Sequence, residues 1–213
     1  MKTQYIKQIV KKLYGNRKRV EVKKAKVLNK DEIKRVINYC NSSRYSLRNS
    51  TMVMLAYFLG MRVGEIANLR VCDVLNEANK VKDEIYLSVE QTKGNDTRTV
   101  YVNSKAKKAL EAYAESLVIK DRKQKFFFSQ SNNGFSPNSL SQYFYHLFKA
   151  VGIDGASSHS FRRTFITNLA NKGVSVRVLG AIVGHKNIST TQQYIDLNDE
   201  MVKQAIELIW FIF

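Results

Sequence analysis

Apolar positions along this chain recur mostly at helical spacing, broken by one short stretch that alternates. Tyr5, Ile6, Ile9, Val10 and Leu13 predict a short amphipathic helix ending near Gly15. A charged linker with little to bury follows over residues 16–26. Asn29 with Glu32 three positions on predicts a helix start, and Ile33, Val36, Ile37 and Cys40 continue the pattern. Residues 51–59 are almost wholly apolar, a buried helix stopped by Gly60, and residues 63–69 read as another short helix. Ile85, Leu87 and Val89 then alternate with Tyr86, Ser88 and Glu90. Val100 and Val102 mark a partner strand, with Lys93-Gly94-Asn95-Asp96 as the turn. Residues 71–75 read as a third short strand.

Helical spacing then returns. Ala106, Leu110, Tyr113 and Leu117 share one face. Ser136-Pro137 opens a helix whose Leu140, Tyr143, Phe144, Leu147 and Phe148 read as core rather than as a base-stacking surface. His146 falls in that run and is expected to be buried with it. Residues 161–171 form a helix that stops at Gly173, and Ser175 opens another that ends at Gly184. Ser189-Thr190-Thr191-Gln192 reads as a capping box, which places Tyr194 in the second turn of a short helix. The fold class is therefore mainly α with a small antiparallel β-sheet or hairpin. No internal repeat interrupts it.

Composition sharpens this picture. At 213 residues with 44% apolar content, the chain holds one substantial domain and a real core. Its 35 basic and 18 acidic residues give a formal charge of +17. Residues 1–26 carry ten Lys/Arg against Glu21 alone, whereas residues 196–213 carry four acids against Lys203. That clustering predicts a polyanionic partner, nucleic acid before an acidic membrane. Cys40 and Cys72 have no C-x-x-C spacing, which argues against a disulfide scaffold or zinc knuckle and fits a reducing cytoplasm. Lysines interrupt any N-terminal apolar run, and the apolar end at 206–213 is far shorter than the ~20 residues of a membrane span. A soluble cytoplasmic protein is expected.

A second pattern is chemical. Arg62 sits in Gly60-Met61-Arg62-Val63-Gly64-Glu65, His159 and Arg162 in His159-Ser160-Phe161-Arg162, and His185 in a run that ends at Tyr194. Two arginines on separate segments can grip both non-bridging oxygens of a phosphodiester, because the planar guanidinium stays charged and donates in pairs. Arg62 follows an apolar helix, so partial burial is expected, with Glu65 near enough to orient it. His159 and Arg162 share a helix face. A phenol is a weak nucleophile at neutral pH and needs cations beside it or a base to take its proton. His159 suits that base and His185 suits a hydrogen bond to phosphate. Lys93, at the hairpin tip, suits protonation of a leaving alkoxide.

These segments, in this order, resemble the catalytic domain of the tyrosine recombinase (phage integrase) family over residues 28–195. The motifs are Gly60 to Glu65, Thr92-Lys93-Gly94, His159 to Thr164, and Val183-Gly184-His185 with Tyr194 nine residues later. The resemblance implies that Arg62 and Arg162 bind the scissile phosphate, Lys93 is the general acid, and His159 acts as acid/base. It implies that His185 supports the phosphate, that Tyr194 forms a 3′-phosphotyrosyl link, and that Glu65 supports the arginine site. Strand exchange then needs neither ATP nor a metal, so no cofactor is expected, and the implied substrate is double-stranded DNA held by a tetramer. Arg163 stands where many relatives have histidine. Residues 1–26 are short for the family's separate core-binding domain and read as its last helix plus linker, or as the start of a naturally minimal enzyme, with the catalytic domain and C-terminal tail over 27–213. Relatives pass a C-terminal helix to a neighbouring subunit, so Trp210, Phe211 and Phe213 are expected to dock either in trans or on their own domain.

Other classes account for less. A type IB topoisomerase would use the same phosphotyrosine chemistry and rejoin the same strand. A non-catalytic helix-turn-helix protein, with its turn at Lys172-Gly173, explains the charge but leaves Arg62, Lys93, His159 and Tyr194 as coincidences. A metal-dependent nuclease lacks clustered carboxylates.

Overall fold

The computed structural model describes residues 24–92, 96–130 and 133–194, with Lys203, Ile206 and Glu207 beyond them. The expected helix over Tyr5 to Leu13 and the turn at Lys93-Gly94-Asn95 lie outside the described residues, as do Trp210, Phe211 and Phe213. In chain order the elements are α1 (Lys30–Asn41), α2 (Ser46–Phe58), α3 (Val63–Asn68), α4 (Val71–Val74) and β1 (Glu84–Leu87). A 3-10 turn (Val89–Gln91), β2 (Arg98–Tyr101), α5 (Ser104–Glu115) and α6 (Pro137–Ala150) follow, then α7 (Ser160–Ala170), α8 (Val176–Val183) and α9 (Ile188–Gln192). The expected class holds: a mainly helical fold with a two-stranded antiparallel sheet.

Local chemistry explains most boundaries. Asn29 Oδ1 accepts the Glu32 N–H at 2.8 Å and Glu32 Oε2 accepts the Asn29 N–H at 3.0 Å, a reciprocal cap that starts α1. The Ser136 hydroxyl accepts the Ser139 N–H at 3.0 Å, with Pro137 opening α6. Helix α2 begins at Ser46, earlier than the apolar run suggests, because polar residues in its first turns are also buried. Arg48 Nη1 donates to the Phe128 carbonyl at 2.8 Å and its Nε to Asn49 Oδ1 at 3.0 Å, which satisfies both side chains inside.

Four expectations are corrected. Residues 71–75 are not a strand: Asp73 accepts the Arg70 N–H at 2.8 Å and starts the single turn α4, leaving only an isolated bridge from Leu75 to Val81. β1 ends at Leu87, because the Ser88 N–H donates to Gln91 Oε1 at 2.9 Å and turns Val89 out of the ladder. His146 is exposed, since the inward face set by Phe144, Leu147 and Phe148 turns position 146 to solvent. Asn187, not Ser189, caps α9 by accepting the Ser189 N–H at 3.0 Å, so Tyr194 lies just past that helix rather than in its second turn.

Two cores result. The larger takes side chains from α1 to α6, both strands and Phe161 at the start of α7. The smaller joins Ile166 and Ala170 of α7 to Leu179 and Val183 of α8, with Tyr194 packed against it. Helix α7 thus spans both, and Arg162 sits where they meet. The Leu28 N–H donates to the buried Thr164 hydroxyl at 2.8 Å and ties the start of the described chain to the same helix.

Gly60, which stops α2, adopts φ +60°, and a Cβ there would stand 2.5 Å from Phe165 Cδ1. Gly152 has φ +66° with nothing within 4 Å of a Cβ. Left-handed backbone costs an L-residue about 1–2 kcal/mol, so Gly152→Ala should lower Tm by a few degrees. Gly60→Ala adds the clash and should lower it by clearly more; equal shifts in thermal unfolding would contradict this packing.

Candidate active site

Both arginines foreseen in the motifs reach the end of α8, and Arg162 also reaches the Gly60 turn beside Arg62. Arg62 directly follows the Gly60 turn and precedes α3. Its backbone N–H donates to Glu65 Oε2 at 2.8 Å, its Nη1 to Glu65 Oε1 at 2.8 Å, and its Nη2 to the Gly184 carbonyl at 3.4 Å. Arg162, on the first turn of α7, donates Nη1 to the Gly60 carbonyl at 2.6 Å and Nη2 to the Val183 carbonyl. Gly184 ends α8 with φ +64°, and a Cβ there would fall 2.7 Å from Arg98 Cδ. Only glycine allows that turn so close to a third arginine.

Arg98 is the residue that the motifs do not disclose. It is 7% exposed, and its Nη1 donates to both Glu65 oxygens at 3.0 Å. The available signal was strand periodicity: Arg98 shares a face with Val100, opposite Leu87, and so points inward. Glu65, 1% exposed, therefore serves two guanidinium groups. Arg162, 3% exposed, hydrogen-bonds carbonyls and His185 instead of a carboxylate. Burial first, and then the like charges of Arg62 and Arg98, push its guanidinium down to about 9. It remains cationic at neutral pH.

His185 follows Gly184. Its Nε2 lies 3.2 Å from Arg162 Nη2, a group that can only donate, so Nε2 accepts. The ring proton then sits on Nδ1 and is donated to the Thr191 hydroxyl at 2.9 Å. Burial, then Arg162, Arg62 and Arg98, push His185 down to about 4, opposed by Glu65. The imidazole is neutral at pH 7. Thr191, fully buried, also accepts the Tyr194 N–H on its carbonyl at 3.0 Å, a second residue that motif reading passed over.

The Tyr194 ring stacks on His185 with centroids 5.8 Å apart and planes 22° apart, and the Arg163 guanidinium lies 5.9 Å from its centre. The Thr167 hydroxyl donates to the Tyr194 carbonyl at 3.1 Å. An open cleft of about 280 Å³ adjoins this group, lined by Arg62, Arg98, Gly184, His185 and the Lys186–Asp96 ion pair at 2.8 Å. Arg62, Glu65, Arg162, His185 and Tyr194 thus come together. His159 is exposed at the N-cap of α7, three residues before Arg162. Lys93 lies outside the described residues. Among the described residues, no group of three or more His, Cys, Asp or Glu side chains converges as metal ligands would, and no helix is long and apolar enough to cross a membrane.

A sequence model of the phage integrase family matches residues 26–201. The chain belongs to that family. Among phage integrase relatives, the tyrosine recombinase XerA of Pyrococcus horikoshii is 28% identical over 185 residues, covering 85% of this chain and 60% of that protein. A crystal structure of XerA recombinase superposes with a TM-score of 0.69 at 28% identity, covering 86% of this chain and 64% of that one. A lambda integrase tetramer bound to a Holliday junction shares the fold at a TM-score of 0.62 and 22% identity, over 81% of this chain and 48% of that one. The chain spans about three fifths of the length of the curated phage integrase relatives it matches.

Between about 4 and the ordinary 6.5, unfolded chains bind a proton at His185 that the folded protein does not. This contribution to stability is complete above about pH 7 and is lost as the pH falls toward 4. Tm should therefore drop between pH 7 and 5, and drop less in His185→Gln. A His185 ring that titrates at its ordinary value by NMR would contradict the buried, cation-facing placement.

Proposed function

We propose that this chain is the catalytic part of a site-specific DNA recombinase that cuts and rejoins strands through a 3′-phosphotyrosyl intermediate. The observation that carries the reading is the convergence of Arg62, Arg162, His185 and Tyr194 beside one cleft, with Arg62 and Arg98 sharing the Glu65 carboxylate. Such a site suits one phosphodiester, whose transition state gathers negative charge.

In this reading Arg62 and Arg162 turn their guanidinium groups to the two non-bridging oxygens of the scissile phosphate. The Tyr194 oxygen attacks phosphorus and the bond to the 5′ oxygen breaks. His159 takes the phenolic proton and Lys93 gives one to the departing 5′ oxygen, which leaves as the 5′-hydroxyl. His185 steadies the phosphate, and Glu65 holds Arg62 in place. One phosphoester replaces another, so the 5′-hydroxyl of a partner strand reverses the step without ATP. Basic residues spread over the chain bind the flanking duplex. By analogy with the lambda integrase tetramer on its junction, the working form is a tetramer on DNA.

The chemistry is tested by incubating the protein with a pool of nicked duplexes of randomised sequence, from which the short cleaved strand diffuses away and traps the adduct. Tyr194→Phe should abolish covalent adducts and leave DNA affinity within about twofold, since phosphate contacts dominate affinity. Adducts that persist in that variant refute the nucleophile, and adducts lost on EDTA treatment refute the metal-free step.

Charge makes a separate forecast. Several phosphate contacts release counterions, so affinity should fall about 10³-fold or more from 50 to 200 mM salt. A flat response in a binding titration would remove the basic surface from the account.

A further inference from the structure

Arg98 has no part in the strand-transfer steps above, yet it is a buried cation beside the site. It enters from the inward face of β2, and its stem runs beneath Gly184. Nη1 is spent on both oxygens of Glu65. Nε and Nη2, one whole edge of the guanidinium, are buried without a hydrogen-bond partner among the described residues. A buried donor left unpaired is destabilising. Apolar side chains in place of buried ion pairs are often neutral or stabilising. Stability alone therefore gives no reason for an arginine here.

Electrostatics gives one. Glu65 holds Arg62 by its backbone and its side chain, which aims the guanidinium but also cancels its charge. A neutral Arg62–Glu65 pair would offer little to a phosphate beyond hydrogen bonds. Arg98 on the same carboxylate makes the trio cationic again. In this part-buried setting, charge interactions are several-fold stronger than in bulk water. Among the described residues, the other charged groups are the self-neutralising Lys186–Asp96 pair in the cleft and Arg162 behind His185.

We propose that Arg98 is a positioning residue of the strand-transfer site: it fixes Glu65 and absorbs its charge, so that Arg62 presents a net positive group to the phosphate. The inference rests on the reading given under Proposed function and deepens it. Its field also reaches His185, where Arg98 is one of the three arginines that hold the ring neutral.

The test compares the parent chain, Arg98→Met and Arg98→Met/Glu65→Gln on the nicked-duplex pool. With protein saturating, Arg98→Met should slow adduct formation about 10- to 100-fold, with DNA affinity and folding little changed. Removing the carboxylate as well restores the charge of Arg62, so the double variant should outpace Arg98→Met. The His185 midpoint, read by NMR without any catalysis, should rise in Arg98→Met. A rate within twofold of the parent, or a double variant no faster than the single, overturns the proposal. If Arg98→Met fails to fold, Arg98→Lys keeps the charge and should stay within about tenfold of the parent rate; a larger loss overturns it. A parent that forms no adduct refutes the strand-transfer reading instead. The His185 midpoint then decides for Arg98, an unmoved value against it and a raised one for it.

Discussion

A protein that gathers cations for an anionic substrate must hold them together while the substrate is away. Arg62, Arg98 and Arg162 repel one another, and among the described residues Glu65 alone pairs with any of them, holding Arg62 and Arg98. The remaining compensation is backbone: the carbonyls of Gly60, Val183 and Gly184 accept from Arg162 and Arg62. Carbonyl dipoles satisfy the donors without cancelling the charge, whereas a second carboxylate would have done both. The site thus remains electropositive in its resting state.

That constraint accounts for much of the surrounding fold. The carbonyls of Gly60 and Gly184 face arginines because both glycines turn with positive φ at the ends of α2 and α8. Helix α7 belongs to the large core through Phe161 and to the small one through Ile166 and Ala170, so Arg162 between them reaches the loops of both. The small core also carries the Tyr194 ring, and Thr191 ties that residue's backbone to the His185 ring. Packing and electrostatics therefore meet in the same few residues.

How much of this can be read from residues alone follows from the range of the forces involved. Caps are local, so Asn29 with Glu32, Ser136 with Pro137, and Ser175 with Gly184 announce their helices. The α9 cap failed that test because Asn187, two positions upstream, accepts the Ser189 N–H and starts the helix at Ile188, which puts Ser189 inside it. Arg48 and Asn49 hid the start of α2, since a polar residue looks exposed until its partner, here the distant Phe128 carbonyl, is known. Arg98 was hidden likewise: an arginine in a strand next to a charged turn resembles a solvated surface charge. Its inward register could be counted, but its carboxylate partner lies 33 positions away. The motifs assembled Arg62, Glu65, Arg162, His185 and Tyr194 by family pattern, and the parts that escaped them were Arg98 on Glu65 and Thr191 on the His185 ring.

The claim underneath all of this is that Arg62 and Arg162 serve one phosphate. A crystal structure of Tyr194→Phe bound to a nicked duplex measures it most directly. The account predicts a single phosphorus with oxygens within about 3 Å of both guanidinium groups, and the residue 194 ring beside it. A duplex held only by surface lysines, with Arg162 still bonded to Gly60 and Val183 and Arg62 to Gly184, would contradict it.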